Sequence, residues 1–514
     1  MWLSIKELMI VLAIAAIIFR LAKPVALLFC KQEDFGRRRT AWFLLTTAAF
    51  LSPNFWVFTL VAAPTLIWVG RKDANPGAVY LVLFQVIPPI RVTVPMPGIS
   101  GLFDIDNDLL ISILVLIPAA LRLLRSKQRN GIRGLELMDV LLLSYGALTA
   151  FLYLHPEISP GVLSPFTFTD GLRRAFVFFV GAYIPYFVIS RSVSARNVVS
   201  ENMAALCVGC AVMAGIGIFE DARHWLLYAE LPTRWGQPHT FSMYYLRGNA
   251  VRAMASAGHP LALGYLLAIA FGLWLYLKSA VESARARLAI TLFWWLGLFA
   301  TYSRGPWVGA ACLYFVFAAL SPRALSGLFK AAVGALIVAT GVLLSPLGDK
   351  IINVLPGFGG STDDQSVVYR HTLFARSWDI IQASPFFGDQ TALLQMQDLR
   401  QGEGIIDVVN GYVNVLLDNG FVGLGLVFGF ILVGLLKTFA TTRRVRTIDR
   451  DMGLMGASLV ACIIATLIML ENGGFGGSTE KVFYVLAALA AGYAYLGSTW
   501  QMGLATTSPA QRRR

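Results

Sequence analysis

Charge is scarce in this chain. Only 14% of its 514 residues are Asp, Glu, Lys or Arg, where a soluble domain carries roughly 25%. Hydrophobic residues make up 57%, and the mean hydropathy is +0.66. So few charges cannot coat a surface facing water. That excludes most soluble enzymes, disordered chains and nucleic-acid binders. Cysteine is scarce as well: Cys30, Cys207, Cys210, Cys312 and Cys462 are scattered. Cys207 and Cys210 form a CxxC inside an apolar run, where packing is the plain reading over a metal or redox site. No paired carboxylates or histidines have metal-ligand spacing. Neither GxxxxGK[ST] nor a dinucleotide fingerprint occurs. ATP-driven and redox chemistry are therefore not expected, and neither is a cofactor. The first apolar segment lacks a small-residue cleavage site and reads as a permanent span.

What the chain does have is long apolar runs. Each span of a bilayer needs about 20 such residues. The hydropathy predicts spans near 107–124, 135–154, 172–190, 201–219, 257–277, 288–303, 305–320, 331–347, 411–436, 452–470 and 481–499, with an N-terminal span over about 3–29. The stretch 40–70 is long for one helix and has Ser52-Pro53-Asn54 at its centre. Arg37-Arg38-Arg39 precede it and Arg71-Lys72 follow it. Placing both clusters on one side requires a hairpin there. A short segment over about 77–90 ends at Pro88-Pro89. The expected fold is an all-α polytopic membrane protein, one integral membrane domain over 1–514 with 12 to 15 spans. Within it, 1–134 holds N-terminal spans, 135–347 central spans, 411–499 C-terminal spans and 500–514 a basic tail.

The net charge of +13 reports orientation. Basic residues come in small groups between apolar runs, as at Arg122, Arg125, Lys127, Arg129 and Arg133. The linkers near 122–133, 191–196, 278–287, 321–330 and 437–450, and the Arg512-Arg513-Arg514 tail, fall on one side if each span crosses once. By the positive-inside rule that side is cytoplasmic. The other side receives Asp104, Asp106, Asp108, Asp363, Asp364, Asp389 and Asp407. It also receives two long loops. The first, 220–256, holds Trp225, Arg234, Trp235, Arg247 and Arg252. The second, 348–410, is the longest polar segment, and loops of that length are usually functional or disordered. In it Val367, Phe374, Trp378 and Ile381 fall at helical spacing. They predict a short amphipathic helix ended by Ser384-Pro385 and Gly388. It could lie on the membrane surface as a lid over a cavity, or simply pack on the bundle.

An ionisable residue at membrane depth is a functional-site hypothesis by default. Arg304 is the clearest case. It sits in Tyr302-Ser303-Arg304-Gly305-Pro306-Trp307, a short break between two apolar runs on the outward side. It has almost no polar loop to retreat into, and topology needs no positive charge there. The bland alternative is an arginine snorkelling to the interface. Arg252 precedes Gly258-His259-Pro260, where His259 could be a base or a helix cap. Arg370 lies on the expected loop helix and could equally be solvated. All three arginines sit at outward ends of the bundle. Convergent guanidiniums suit a pyrophosphate, whose oxygens they bind bidentately. At the re-entry of the long loop stands Asp407-Val408-Val409-Asn410-Gly411-Tyr412. Asp407 and Asn410 share a face of any helical turn. Asp407 could be a general base on a hydroxyl or an N-cap. Glu471-Asn472-Gly473-Gly474 reads as a turn.

These residues resemble a known family. Arg252 followed by Gly258-His259-Pro260, then Ser303-Arg304-Gly305, then Arg370 with Trp378, Pro385 and Gly388, then Asn410-Gly411-Tyr412 and Gly420-Phe421-Val422-Gly423-Leu424 are similar in order and spacing to the O-antigen ligase and polymerase superfamily of bacterial membrane glycosyltransferases. The exopolysaccharide-polymerase branch looks closest, over roughly 170–500. The resemblance implies a C-type glycosyltransferase-like helical bundle with a large periplasmic loop. It implies a metal-independent enzyme of the bacterial inner membrane. Such an enzyme takes a glycan from undecaprenyl pyrophosphate at the periplasmic face and transfers it to a sugar hydroxyl. Arg252 and Arg304 would neutralise the leaving group, with Arg370 from the loop helix. Ser303, His259 and Tyr412 would line the substrate site, and Asp407 and Asn410 would join Arg304 at the reacting centre. Many members carry His-Asn at the loop junction, with the histidine as base. Here Val409 precedes Asn410. Either Asp407 replaces that histidine, or leaving-group stabilisation supplies most of the catalysis. Expected partners are the lipid-linked oligosaccharide, the lipid bilayer, and proteins that set chain length and export the product. No nucleic acid is expected.

Three functions fit this reading: a polysaccharide polymerase, an O-antigen ligase that transfers to lipid A core or protein, and a transporter of polysaccharide or lipid-linked sugar. Transporters often show two related halves and sites at the midplane. No halves are evident here, and the candidate residues sit at outward ends.

Overall fold

A computed structural model describes residues 2–95, 101–130, 135–154, 167–237, 245–247, 250–321, 361–400 and 406–506, with isolated positions 326, 329 and 334. The described chain is almost wholly helical, with two short antiparallel β-pairs, Val92–Thr93 with Asp104–Ile105 and Leu246–Arg247 with Ala250–Val251. Among the described residues nine helices are long and apolar enough to cross a membrane: Ser4–Ala26, Asn107–Arg125, Leu137–Leu154, Phe168–Arg191, Arg196–Arg223, Pro260–Ala280, Gly411–Val445, Arg450–Asn472 and Gly477–Thr499. Ala284–Ala300 and Arg304–Leu320 are shorter helices beside them. The span expected at 331–347 lies outside the described residues.

The chain's apolar surface is inverted relative to a soluble protein. Leu288, Leu292 and Leu296 form an exposed stripe at i, i+4 and i+8 along one helix, and Leu21 and Leu60 are exposed too. Contiguous apolar surface of this kind belongs against lipid. The centre is the helix Pro260–Leu277, buried nearly all round. Ser458 on Arg450–Met469 donates to the Gly272 carbonyl at 2.8 Å. Cys207 and Cys210 are buried and free, and Cys207 donates to the Ala270 carbonyl, in keeping with the packing reading.

The ambiguous stretch 40–70 is a hairpin. Helices Gln32–Leu51 and Phe55–Lys72 meet at Ser52-Pro53-Asn54, where Asn54 caps the second by accepting from the Val57 N–H. This brings both basic clusters to one end, because Arg38 binds Asp73 with two hydrogen bonds, at 2.8 and 2.7 Å, and Glu201 at 2.6 Å. Arg191–Asp139 and Arg196–Asp449 bring further basic linkers together. The opposite tip of the hairpin meets the first loop: the Trp235 indole donates to the Ser52 carbonyl at 3.1 Å. The molecule therefore has a basic end and a loop end.

The helix Gly411–Val445 breaks at Gly420, which adopts φ +60°. A kink orphans main-chain groups, and these need partners at membrane depth. The second loop supplies them. Phe421 N–H donates to the Pro385 carbonyl (2.8 Å) and Val422 N–H to that of Phe386 (3.1 Å), while the Leu417 carbonyl accepts from Asp389 N–H (2.6 Å). The Gln390 side chain donates to the Asp418 carbonyl at 2.8 Å. This approach is so close that a Cβ on Gly420 would stand 2.3 Å from the Phe386 carbonyl carbon, and one on Gly388 would stand 2.4 Å from the Leu417 oxygen.

Candidate functional site

The break at Ser303-Arg304-Gly305 is built by a tight turn. The Leu298 carbonyl accepts from Thr301 N–H, Thr301 Oγ1 and the Trp307 indole. Tyr302 adopts φ +46°, a conformation sparsely used by residues with side chains. A new helix then starts at Arg304. Ser303 holds the N-cap position without capping. Its hydroxyl donates to the Thr301 carbonyl (3.0 Å) and accepts from Arg252 (2.8 Å).

Arg252 is buried. Its Nε also reaches the Thr301 carbonyl at 3.2 Å. The two contacts fix its planar fork against the break from a different stretch of chain. What holds the Arg252 segment was not foreseen. Glu220, fully buried at the end of Arg196–Arg223, accepts N–H bonds from Leu227 (3.0 Å), Met254 (3.0 Å) and Ala255 (2.8 Å). Sequence reading passed over it because it ends an apolar run.

His259 is the N-cap of Pro260–Leu277: its Nδ1 accepts from Leu261 N–H at 3.2 Å. Burial, and then the Arg252 charge, push the imidazole down to about 4. With Nδ1 engaged by the Leu261 N–H, the cap alternative is the one seen in the structure.

The second loop contributes a helix, Ser361–Ala383, which ends at Ser384-Pro385 and Gly388 as the sequence predicts. Its buried face differs from the predicted one. Leu373, Ser377 and Ile381 are buried, while Phe374 and Trp378 stack on each other in the open, at 6.0 Å. Val367 lies outside the described side chains. The reason is the partner surface: Leu373 and Ile381 pack against Val408, Val413, Leu416 and Leu417, so this helix runs beside the start of Gly411–Val445. The helix therefore packs on the bundle through this face.

Arg370 is exposed and donates to Asn472 Oδ1 at 3.1 Å. Asn472 belongs to Glu471-Asn472-Gly473-Gly474, which the sequence alone presents as a plain turn. It ends a single 3-10 turn, Leu470–Asn472, beside the break: a Cβ on Gly305 would stand 3.2 Å from the Asn472 Cβ. The same turn meets the loop junction, since a Cβ on Gly411 would stand 3.2 Å from the Gly473 oxygen. Asn410 caps its helix, accepting from Tyr412 N–H (2.9 Å) and Val413 N–H (3.2 Å). Of the two alternatives for Asp407, the N-cap is not the one observed, since Asn410 holds that position. The Asp407 main chain accepts from the Tyr369 hydroxyl at 3.4 Å, which puts Asp407 next to Arg370's helix. Tyr412 stacks on Phe428 (4.7 Å) and donates to the Leu467 carbonyl at 2.7 Å, so its hydroxyl is committed to packing.

All eight predicted residues thus gather at the loop end. Arg252 and Ser303 touch directly, Arg304 follows, and Asn472 links this break to Arg370. Helices beginning at Pro260, Arg304 and Gly411 start at this end. Their positive ends add to the guanidiniums, and the sum favours an anion.

Residues 288–428, which include Ser303, Arg304, Arg370, Asp407, Asn410 and Tyr412, match the family model described as O-antigen ligase. The match supports the O-antigen ligase/polymerase superfamily and, at a coarse level, glycosyl transfer of the ligase or polymerase type. Arg252 and His259 lie outside the matched stretch. No curated protein matches the chain.

Proposed function

We propose, from the match to the O-antigen ligase family, that this chain is a polymerase of undecaprenyl-pyrophosphate-linked oligosaccharides at the periplasmic face of the inner membrane. A sugar hydroxyl on one carrier attacks the anomeric carbon of the glycan on another. The glycosidic bond forms as the bond to the pyrophosphate oxygen breaks. The carrier leaves as its pyrophosphate, and the hydroxyl proton passes to Asp407 or to the leaving phosphate. Arg252, Arg304 and Arg370 meet the charge that grows on that leaving group. One observation carries the reading: two arginines distant in sequence, Arg252 and Arg370, are tied by Ser303, Thr301 and Asn472 to the helix break that carries Arg304 or to the turn beside it. Asn410 caps the adjoining helix, and His259 caps the helix that follows the Arg252 segment. The ligase reading, transfer to lipid A core or protein, is favoured by the description of the matching family model.

The test is the full-length protein in nanodiscs with lipid-linked repeat units, its products resolved by size. A ladder of multiples is the expected result. An unchanged donor in that mixture, and consumption only after a lipid A core or protein acceptor is added, would replace the polymerase reading with the ligase one. Arg304→Lys should abolish either reaction at unchanged protein level, since a point charge cannot reproduce the fork.

A further inference from the structure

We infer that the second loop is a re-entrant element, and that its tip, residues 384–394, is immersed in the lipid of the leaflet on the loop side. This inference is independent of the proposed reaction. Its first support is depth, measured from both ends of Gly411–Val445. Lys437 at the basic end pairs with Glu136 at 3.3 Å. Phe421 lies roughly 24 Å along the helix from it, at about 1.5 Å per residue. A hydrocarbon core of about 30 Å reaches past that level. From the other end, Gly411 sits against the Leu470–Asn472 turn, and Phe421 lies up to about 15 Å below it. Pro385 and Phe386 are bonded main chain to main chain with Phe421 and Val422, so they share that depth.

The tip's polar groups supply the second support. Irregular backbone is tolerated at membrane depth where it packs within protein, and many of this tip's described main-chain groups, though not the Phe386 and Phe387 N–H groups, meet partners in the protein. The carbonyls of Ser384, Pro385 and Phe386 accept from Gly388, Phe421 and Val422, and the N–H groups of Asp389, Ala392 and Leu394 find the carbonyls of Leu417, Asp389 and Thr391. The Phe387 carbonyl accepts from the Gln390 side chain. Thr391 N–H and hydroxyl both donate to Asp389 Oδ1, and Gln395 donates to Oδ2.

The third support is what the tip displays. Phe386 (67% exposed), Phe387, Leu393 and Leu394 are exposed. They continue an exposed apolar stripe on the kinked helix that runs from Phe421 and Val422 to Leu432 and Leu436. An aqueous loop has no reason to present four large apolar side chains beside an exposed apolar helix stripe. The last charges before the tip are Asp379 and the exposed Arg376–Asp398 pair (3.3 Å). They mark the water boundary, about 9 Å above Pro385 at helical rise.

The experiment uses the full chain in nanodiscs, with Cys30 and Cys312 replaced by Ala. An environment-sensitive fluorophore is placed at Phe387→Cys, at Leu394→Cys, or at the exposed control Thr372→Cys. The expected result at 387 and 394 is blue-shifted emission, lost when brominated lipid replaces ordinary lipid. Position 372 should emit as in water and be quenched by iodide. Emission at 387 and 394 like that at 372 overturns the inference. So does a blue shift that brominated lipid leaves intact, which would assign the patch to a protein partner. If one cysteine variant misfolds, the other reports the same depth.

Discussion

The two segments that return to the bundle at the loop end are fastened by opposite means. The first, around Arg252, is held by a side chain: the Glu220 carboxylate gathers three main-chain N–H groups. The second is held main chain to main chain, with Gly388 and Gly420 allowing the approach. A carboxylate anchor can be weakened in steps, because other side chains still accept hydrogen bonds. A main-chain buckle is present or absent. The difference extends to the arginines. Arg252 lies two residues from its anchor and is buried with two described contacts, whereas Arg370 stands well up its helix, exposed, with one contact to Asn472. In the proposed anion site, Arg252 would be the fixed part and Arg370 the part that can adjust.

The largest expected effect breaks the buckle. Gly420→Ala combines positive φ with a collision, and should cost about 3 kcal/mol or more. Thermal unfolding would fall, and protease should cut near 384–400 while the first loop stays protected. Next comes the clamp. Glu220→Ala leaves three N–H groups without their acceptor, about 2–4 kcal/mol after relaxation. Glu220→Gln keeps an acceptor and should cost about 1 kcal/mol. Equal losses for the two would remove the graded character claimed for this anchor. Third, Arg252→Lys should lower glycan transfer at least about tenfold and Arg370→Lys only a few-fold, read as initial rates. Equal rates would erase the contrast of fixed and adjustable parts. The smallest effect is in pH. His259 titrates near 4 when folded and near 6.5 when unfolded, so the unfolded chain binds the extra proton. Its stabilisation is full above about pH 6.5 and is lost as pH falls through about 4. Stability measured down that range should decline, and His259→Asn, which can still cap, should flatten the decline.

Much of this was legible in the sequence because hydropathy and charge act locally. Arg37–Arg39 and Arg71-Lys72 forced the hairpin at Ser52-Pro53-Asn54, and it is there. Ser384-Pro385 and Gly388 end the loop helix where they should. What escaped depends on distant partners. Asn472 looked like turn filler because only the folded chain brings Arg370 to it. Glu220 was hidden by the apolar run before it. Periodicity found the helix but misjudged its buried face, because the shape of Val413, Leu416 and Leu417 chose Leu373 over Phe374. The cap alternative at this junction was Asp407, whereas the helix starts one residue after Asn410, which caps it.

The glycine pair has a genetic consequence. The atoms that a side chain at 420 would strike are the carbonyl carbon and oxygen of Phe386 and the nitrogen of Phe387. At 388 they are the Leu417 oxygen, the Asn419 nitrogen and the Asp418 carbonyl carbon. Every one is main chain, common to all twenty amino acids. A selection for second-site suppressors of Gly388→Ala or Gly420→Ala therefore has nothing to find at the contact residues, since no codon there removes the obstruction. Reversion to glycine is the local cure.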